Sequence, residues 1–90
     1  MDTIIIVTKI IKQQENIIGP IALEQARKVA GLKISSSGEV EIKGNSKEVL
    51  SHLVEQYEHL FGQASVEVCK DAVKELKPPP SRDELPDILK

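Results

Sequence analysis

Two short stretches in the middle of the chain alternate apolar and polar residues with the two-residue period of a half-buried strand. They are Leu32-Lys33-Ile34-Ser35 and Glu39-Val40-Glu41-Ile42-Lys43. Ser36-Ser37-Gly38 separates them. Pairing Ser35 with Glu39 leaves a three-residue loop with glycine where a left-handed backbone is needed. The same register sets Ile34 against Val40, Lys33 against Glu41 and Leu32 against Ile42. One face is then wholly apolar and the other carries an opposite-charge pair. A β-hairpin follows, and the rest of the chain has to be fitted around it.

On the C-terminal side, Asn45-Ser46-Lys47-Glu48 reads as a helix start, with Asn45 as cap and Glu48 at the third helical position. Val49, Leu50, Leu53, Val54, Tyr57, Leu60 and Phe61 then recur at helical spacing up to Gly62, which ends or sharply bends the helix. A further helix carries Val66, Cys69, Ala72, Val73 and Leu76 and stops at Pro78-Pro79-Pro80. On the N-terminal side, Ile10, Ile11, Ile17 and Ile18 have helical spacing ahead of Gly19-Pro20, and Pro20 suits the first turn of a new helix. That helix is expected to run through Ala22, Ala26, Val29 and Ala30 to Gly31. Residues 3–8 are a β-branched run that reads equally as strand or helix.

The two helical parts resemble each other at an offset of 43 residues. Residues 10–30 laid on 53–73 match Gln13 to Gln56, Glu15 to Glu58, Gly19 to Gly62 and Glu24 to Glu67. The apolar pairs Ile10/Leu53, Ile11/Val54, Ile17/Leu60, Ile18/Phe61 and Leu23/Val66 also coincide. An internal repeat would give two helix–Gly–helix units, neither able to bury its apolar stripe alone. The expected fold class is therefore α+β and mainly helical: two helix–Gly–helix units flanking a central β-hairpin, with an N-terminal strand as an open addition.

Ninety residues suit a single domain, here expected over 1–76. Residues 77–90 form a Pro-rich C-terminal tail, because Lys77-Pro78-Pro79-Pro80 favours an extended spacer. Beyond the prolines, Ser81-Arg82-Asp83-Glu84 repeats the capping pattern ahead of Leu85, Ile88 and Leu89, and Pro86 limits any helix to a turn or two. The tail is expected to be dispensable for folding and free to meet a protein partner.

Net charge is −2, which disfavours non-specific binding to nucleic acid or anionic membranes. No apolar stretch approaches the ~18 residues of a membrane span. With Cys69 as the only cysteine there is no disulfide framework, which fits a cytoplasmic location.

Residues able to carry chemistry do not converge. His52 and His59 are seven residues apart on one helix, too far along the axis to share an ion, and Glu55/His59 has ligand spacing without a third partner. Cys69 falls on an apolar stripe, where a thiol is inert. The glycines match neither phosphate-binding nor dinucleotide-binding spacing, and Ser35–Ser37 are explained by the turn. The expectation is no enzyme, no cofactor and no metal. A winged-helix DNA-binding domain is the alternative, with Arg27 and Lys28 on a short helix before a hairpin. Its wing would carry Glu39 and Glu41 and no basic residue at the tip, which leaves nucleic acid an unlikely partner. An enzyme with an unrecognised site ranks third.

What remains is an apolar excess. Of eleven isoleucines, seven fall within residues 4–18. An element apolar on several faces must be buried on several faces. The sequence therefore points to a non-catalytic, self-associating interaction module of a regulatory or sensory kind. It would be a homodimer whose interface draws on Ile4, Ile6, Val7, Ile10, Ile11, Ile17 and Ile18.

Overall fold

A computed structural model describes residues 2–90. The ambiguous N-terminal run is helix, not strand: α1 spans Thr3–Ile18. The Asp2 carboxylate caps it by accepting the Ile4 N–H at 3.0 Å, and Thr8 donates its hydroxyl back to the Ile4 carbonyl at 2.7 Å. β-Branched residues lower helix propensity only slightly, and tertiary burial outweighs that cost. Ile6, Val7, Ile10 and Ile11 lie in the core, because α1 packs at once against the three later helices and the second strand of the hairpin. Most of the apolar surface of α1 is thus covered within one chain, Ile5 and Ile17 being the exceptions.

Helix α2 spans Ile21–Ala26, four residues shorter than the apolar spacing predicted. Beyond Ala26 the chain tightens into three-residue turns, with Lys28 and Val29 N–H bonded to the Gln25 and Ala26 carbonyls. This turns Val29 into the core and delivers the backbone to β1, Leu32–Ile34. Strand β2, Val40–Ile42, pairs antiparallel with it in the register read from the sequence: Leu32 with Ile42, Lys33 with Glu41, Ile34 with Val40. The turn closes as expected, Ser35 N–H to Glu39 O at 2.9 Å and Gly38 N–H to Ser35 O at 3.0 Å. Arg27 braces it from α2 by donating to the Ser35 carbonyl at 3.2 Å.

Helix α3 spans Ser46–Phe61, capped by the Asn45 side chain on Glu48 N–H at 3.0 Å, and α4 spans Gln63–Lys74. The fold is accordingly α+β and mainly helical, two helix–Gly–helix units with a hairpin between them.

The C-terminal segment is not the free spacer that its prolines suggested. Two single 3-10 turns, Arg82–Glu84 and Asp87–Leu89, fold it back, and the second packs on α3 and α4 with Leu85 and Leu89 in the core. The proline run provides the reversal, and the leucines beyond it supply the burial.

Two stability predictions follow from these contacts. Truncation after Leu76 strips Leu85 and Leu89 from the core. At ~1.5–3 kcal/mol for each buried side chain, that is a large share of a typical net stability of ~5–15 kcal/mol. Urea unfolding followed by circular dichroism should show a sharply lowered midpoint or an unfolded chain. The glycines should also differ. At Gly31 (φ +85°) a Cβ would sit 2.7 Å from the Lys43 carbonyl oxygen and 2.8 Å from Val49, whereas at Gly38 (φ +90°) it would meet nothing. Gly38→Ala should cost about 1 kcal/mol from backbone strain alone, and Gly31→Ala distinctly more in the same assay.

Candidate interaction site

The two helix–Gly–helix units meet through a reciprocal pair of buried hydrogen bonds. Gln14 on α1 donates from Nε2 to the Ser65 carbonyl on α4 at 3.1 Å, and Tyr57 on α3 donates its hydroxyl to the Ala22 carbonyl on α2 at 2.7 Å. Gln14 and Tyr57 stand 43 positions apart, as do Ala22 and Ser65, so the two contacts occupy equivalent places in the two units. Their hinges also match. Gly19 has φ 75°, ψ −155° and Gly62 φ 82°, ψ −170°, and each donates its N–H to the carbonyl four residues earlier, Glu15 at 2.9 Å and Glu58 at 2.8 Å. The 43-residue offset seen in the sequence thus relates two hinges of like backbone conformation.

These bonds place the C-terminal end of α1 beside the start of α4, and the C-terminal end of α3 beside the start of α2. Both hinges therefore lie at one end of the molecule. The apolar stripes of α1 and α3 run past the core at this end. Ile10 and Gln14 continue to Ile17, and Leu53 and Tyr57 continue to Leu60 and Phe61. Exposure there is 63% for Ile17, 38% for Ile21, 44% for Leu60 and 37% for Phe61; of the large apolar side chains only Ile5, ~18 Å back along α1, is comparably exposed elsewhere among the described residues. Large apolar residues left exposed are candidates for association.

Residues 13–25 and 56–68, which form the two corners, contain Glu15, Glu24, Glu58 and Glu67 and no lysine or arginine. Glu67, exposed, meets the half-buried Lys70 of the next turn at 3.8 Å. His59 stands exposed on the last turn of α3.

The seven isoleucine and valine positions expected to form an interface divide sharply. Ile6, Val7, Ile10 and Ile11 are internal, and so unavailable as a surface in the folded chain. Ile4 is half-buried, Ile18 packs against the core, and Ile17 alone is fully exposed. Composition could not separate these cases, because the number of helices packed around α1 is a tertiary fact. Ile21, Leu60 and Phe61 were missed as surface residues, although the repeat held a signal: the apolar pairs Ile17/Leu60 and Ile18/Phe61 immediately precede the two hinge glycines.

A concavity of about 410 Å3 opens between α1 and the hairpin. Ile11, Leu23, Ile34 and Val40 line it, with Lys12, Glu15, Ser36 and Ser37 at its edge. Its polar groups are turned to local use. Ser35 and Ser37 hydroxyls lie 2.9 Å apart, and Ser35 Oγ accepts the Glu39 N–H at 3.1 Å. His52 and His59 are both exposed on α3, and among the described residues no three His, Cys, Asp or Glu side chains cluster as a metal site would need. No helix there is long and apolar enough to cross a membrane.

Cys69 is fully buried on α4, 3.4 Å from the Gln14 amide nitrogen. Burial pushes its thiol up to about 11, the Gln14 hydrogen bond acting in the opposite sense. Tyr57 is raised as well, by burial first and then by the charges of Cys69 and Glu15.

Compared with known proteins, the chain matches no family model, no curated protein and no solved structure.

Both buried groups hold their protons above the pH at which the unfolded chain releases them. Their contribution to stability is therefore complete below the unfolded values, about 8.5 for Cys and about 10 for Tyr, and is lost as pH rises, for Cys69 through about 11. Urea midpoints should be level from neutrality to about pH 8.5 and fall beyond it. Cys69→Ala, less stable at neutrality because of its cavity, should show a shallower alkaline decline.

Proposed function

We propose that this chain is a non-catalytic protein-interaction module that works through the hinge end. One observation carries the reading: Ile17 and Ile21 on either side of Gly19, and Leu60 and Phe61 just before Gly62, are 37–63% exposed, while Ile10, Gln14, Leu53 and Tyr57 on the preceding turns are internal. Each apolar side chain left in water forgoes ~1.5–3 kcal/mol of burial, so a partner surface that covers four of them has substantial free energy available. A module of regulatory or sensory type needs only such a docking face.

Self-association is the competing form of the same reading. The sequence argument for a homodimer counted four residues that the chain itself covers, so what supports it now is the exposed remainder, Ile17 above all. A winged-helix role draws less support. Arg27 is engaged with the Ser35 carbonyl, and the hairpin tip offers phosphates serines beside Glu39.

A random peptide library selected on the protein tests the reading. Binders should lose affinity for Ile17→Ser/Leu60→Ser, two exposed substitutions that leave the circular dichroism spectrum unchanged. Peptides that bind this variant as tightly as the parent would place the working face elsewhere, the cleft beside the hairpin being the next candidate. Light scattering reads the self-associating form directly: a mass near the 9.9 kDa of one chain, or twice that.

A further inference from the structure

We propose that the cleft between α4 and the folded-back C-terminal segment binds a small amphipathic anion, a molecule with an apolar body and one phosphate or carboxylate head. The site is distinct from the hinge end and does not depend on the role given to it. The cleft holds about 330 Å3, within the range of ~300–1,000 Å3 typical of small-molecule sites. Val73 on α4 and Leu85 and Leu89 on the returning segment give it an apolar floor, which two residues of the proline run extend. Around that floor stand Lys70, Lys74, Arg82 and Lys90, with Glu67 as the one carboxylate in the lining. The whole chain has fourteen acidic side chains against twelve basic ones, so four cations to one carboxylate inverts its balance locally.

The cations come from separate parts of the chain. Lys70 and Lys74 lie a turn apart on α4, Arg82 opens the first 3-10 turn, and Lys90 follows the second. Only the return of the C-terminal segment brings them to one cleft. Two of the four are held, and weakly. Lys70 pairs with Glu67 at 3.8 Å and Lys90 with Asp87 at 3.4 Å, and the carboxylates are 59% and 100% exposed. Pairs of this kind contribute little and give way readily to a better partner. Among the described residues, Lys74 and Arg82 have no hydrogen bond or ion pair at all. A guanidinium grips phosphate or carboxylate with two parallel hydrogen bonds, and an ammonium beside it adds a point charge.

Charge and shape together select the occupant. A second copy would bring the same four cations to the same place, and like charges facing each other oppose association. A flat anionic bilayer would meet the cations without filling the apolar floor inside the cleft. A small anion with an apolar body uses both. Because one wall is the C-terminal segment, such a ligand also favours the folded chain over the unfolded one.

Calorimetric titration of the full chain tests this, with hexyl phosphate as the probe. It should bind at least about tenfold more tightly than inorganic phosphate, since its chain covers the apolar floor, and hexyltrimethylammonium should give no binding. Added salt should weaken the affinity, and saturating hexyl phosphate should raise the urea midpoint. Lys74→Gln/Arg82→Gln removes two exposed charges, so its circular dichroism spectrum should be that of the parent, while affinity falls by about tenfold or more. Lys33→Gln/Lys43→Gln, the same loss of charge on the hairpin, should change affinity by less than about twofold, which separates a sited contact from diffuse attraction. Inorganic phosphate bound as tightly as hexyl phosphate overturns the amphipathic ligand. Equal binding of hexyltrimethylammonium, or affinity unchanged in Lys74→Gln/Arg82→Gln, overturns the site. No binding of hexyl phosphate at millimolar concentration overturns the proposal as well. In that event, co-sedimentation with phosphatidylserine-containing vesicles would replace it with a membrane surface, and binding of a polyglutamate peptide with an acidic protein segment.

Discussion

Gln14 and Tyr57 hold the two halves of this chain in one relative position. Each is a polar side chain inside a mainly apolar core, and each gives its hydrogen to a main-chain carbonyl in the first turns of the opposite unit's second helix. A carbonyl oxygen has two lone pairs, so Ser65 and Ala22 can accept these bonds without giving up their helical ones. Leaving either donor unpaired in the interior would cost about 1–3 kcal/mol. Apolar stripes alone would let α1 slide or rotate against α4. The paired donors admit one register, and from it follow the adjacency of the hinges, the depth of Cys69 beside Gln14, and the course of both stripes beyond the core.

The sequence was informative wherever a local rule decides the outcome. The hairpin register came out residue for residue, since side-chain alternation and turn chemistry constrain it independently. Asn45 and the hinge glycines behaved as helix punctuation for the same reason. Where long-range packing decides, the sequence misled. The β-branched start of α1 looked as much like strand as helix, and only its position among three helices and β2 explains why helix prevails. Val29 was assigned to α2 by spacing, but the need to reach β1 beside Val49 ends that helix at Ala26. Pro78–Pro80 suggested a spacer, yet the leucines beyond them return to the core.

The functional surface was legible only in part, and for a related reason. The isoleucine count correctly signalled more apolar surface than one helix face can use. It could not say that most of this surface is consumed by the chain's own second half. The repeat held the missing information. Ile17 and Leu60 hold equivalent positions and both are left exposed, whereas Ile18 packs against the core and its counterpart Phe61 does not.

The hinge end and the cleft beside α1 differ in stiffness, and this bears on which one serves as a docking face. One wall of the cleft beside α1 is the hairpin, two strands of three residues each, a unit that is marginal alone. A ligand seated there would have to order part of its own site. The hinge end stands on the ends of α1 and α3, sixteen-residue helices locked one turn below Ile17 and Leu60 by Gln14 and Tyr57. Side chains presented from a fixed backbone lose less freedom on binding, so more of the burial energy appears as affinity. Ile17 and Leu60 are held out from the most constrained contact in the fold, which is where a preformed surface would be expected to lie.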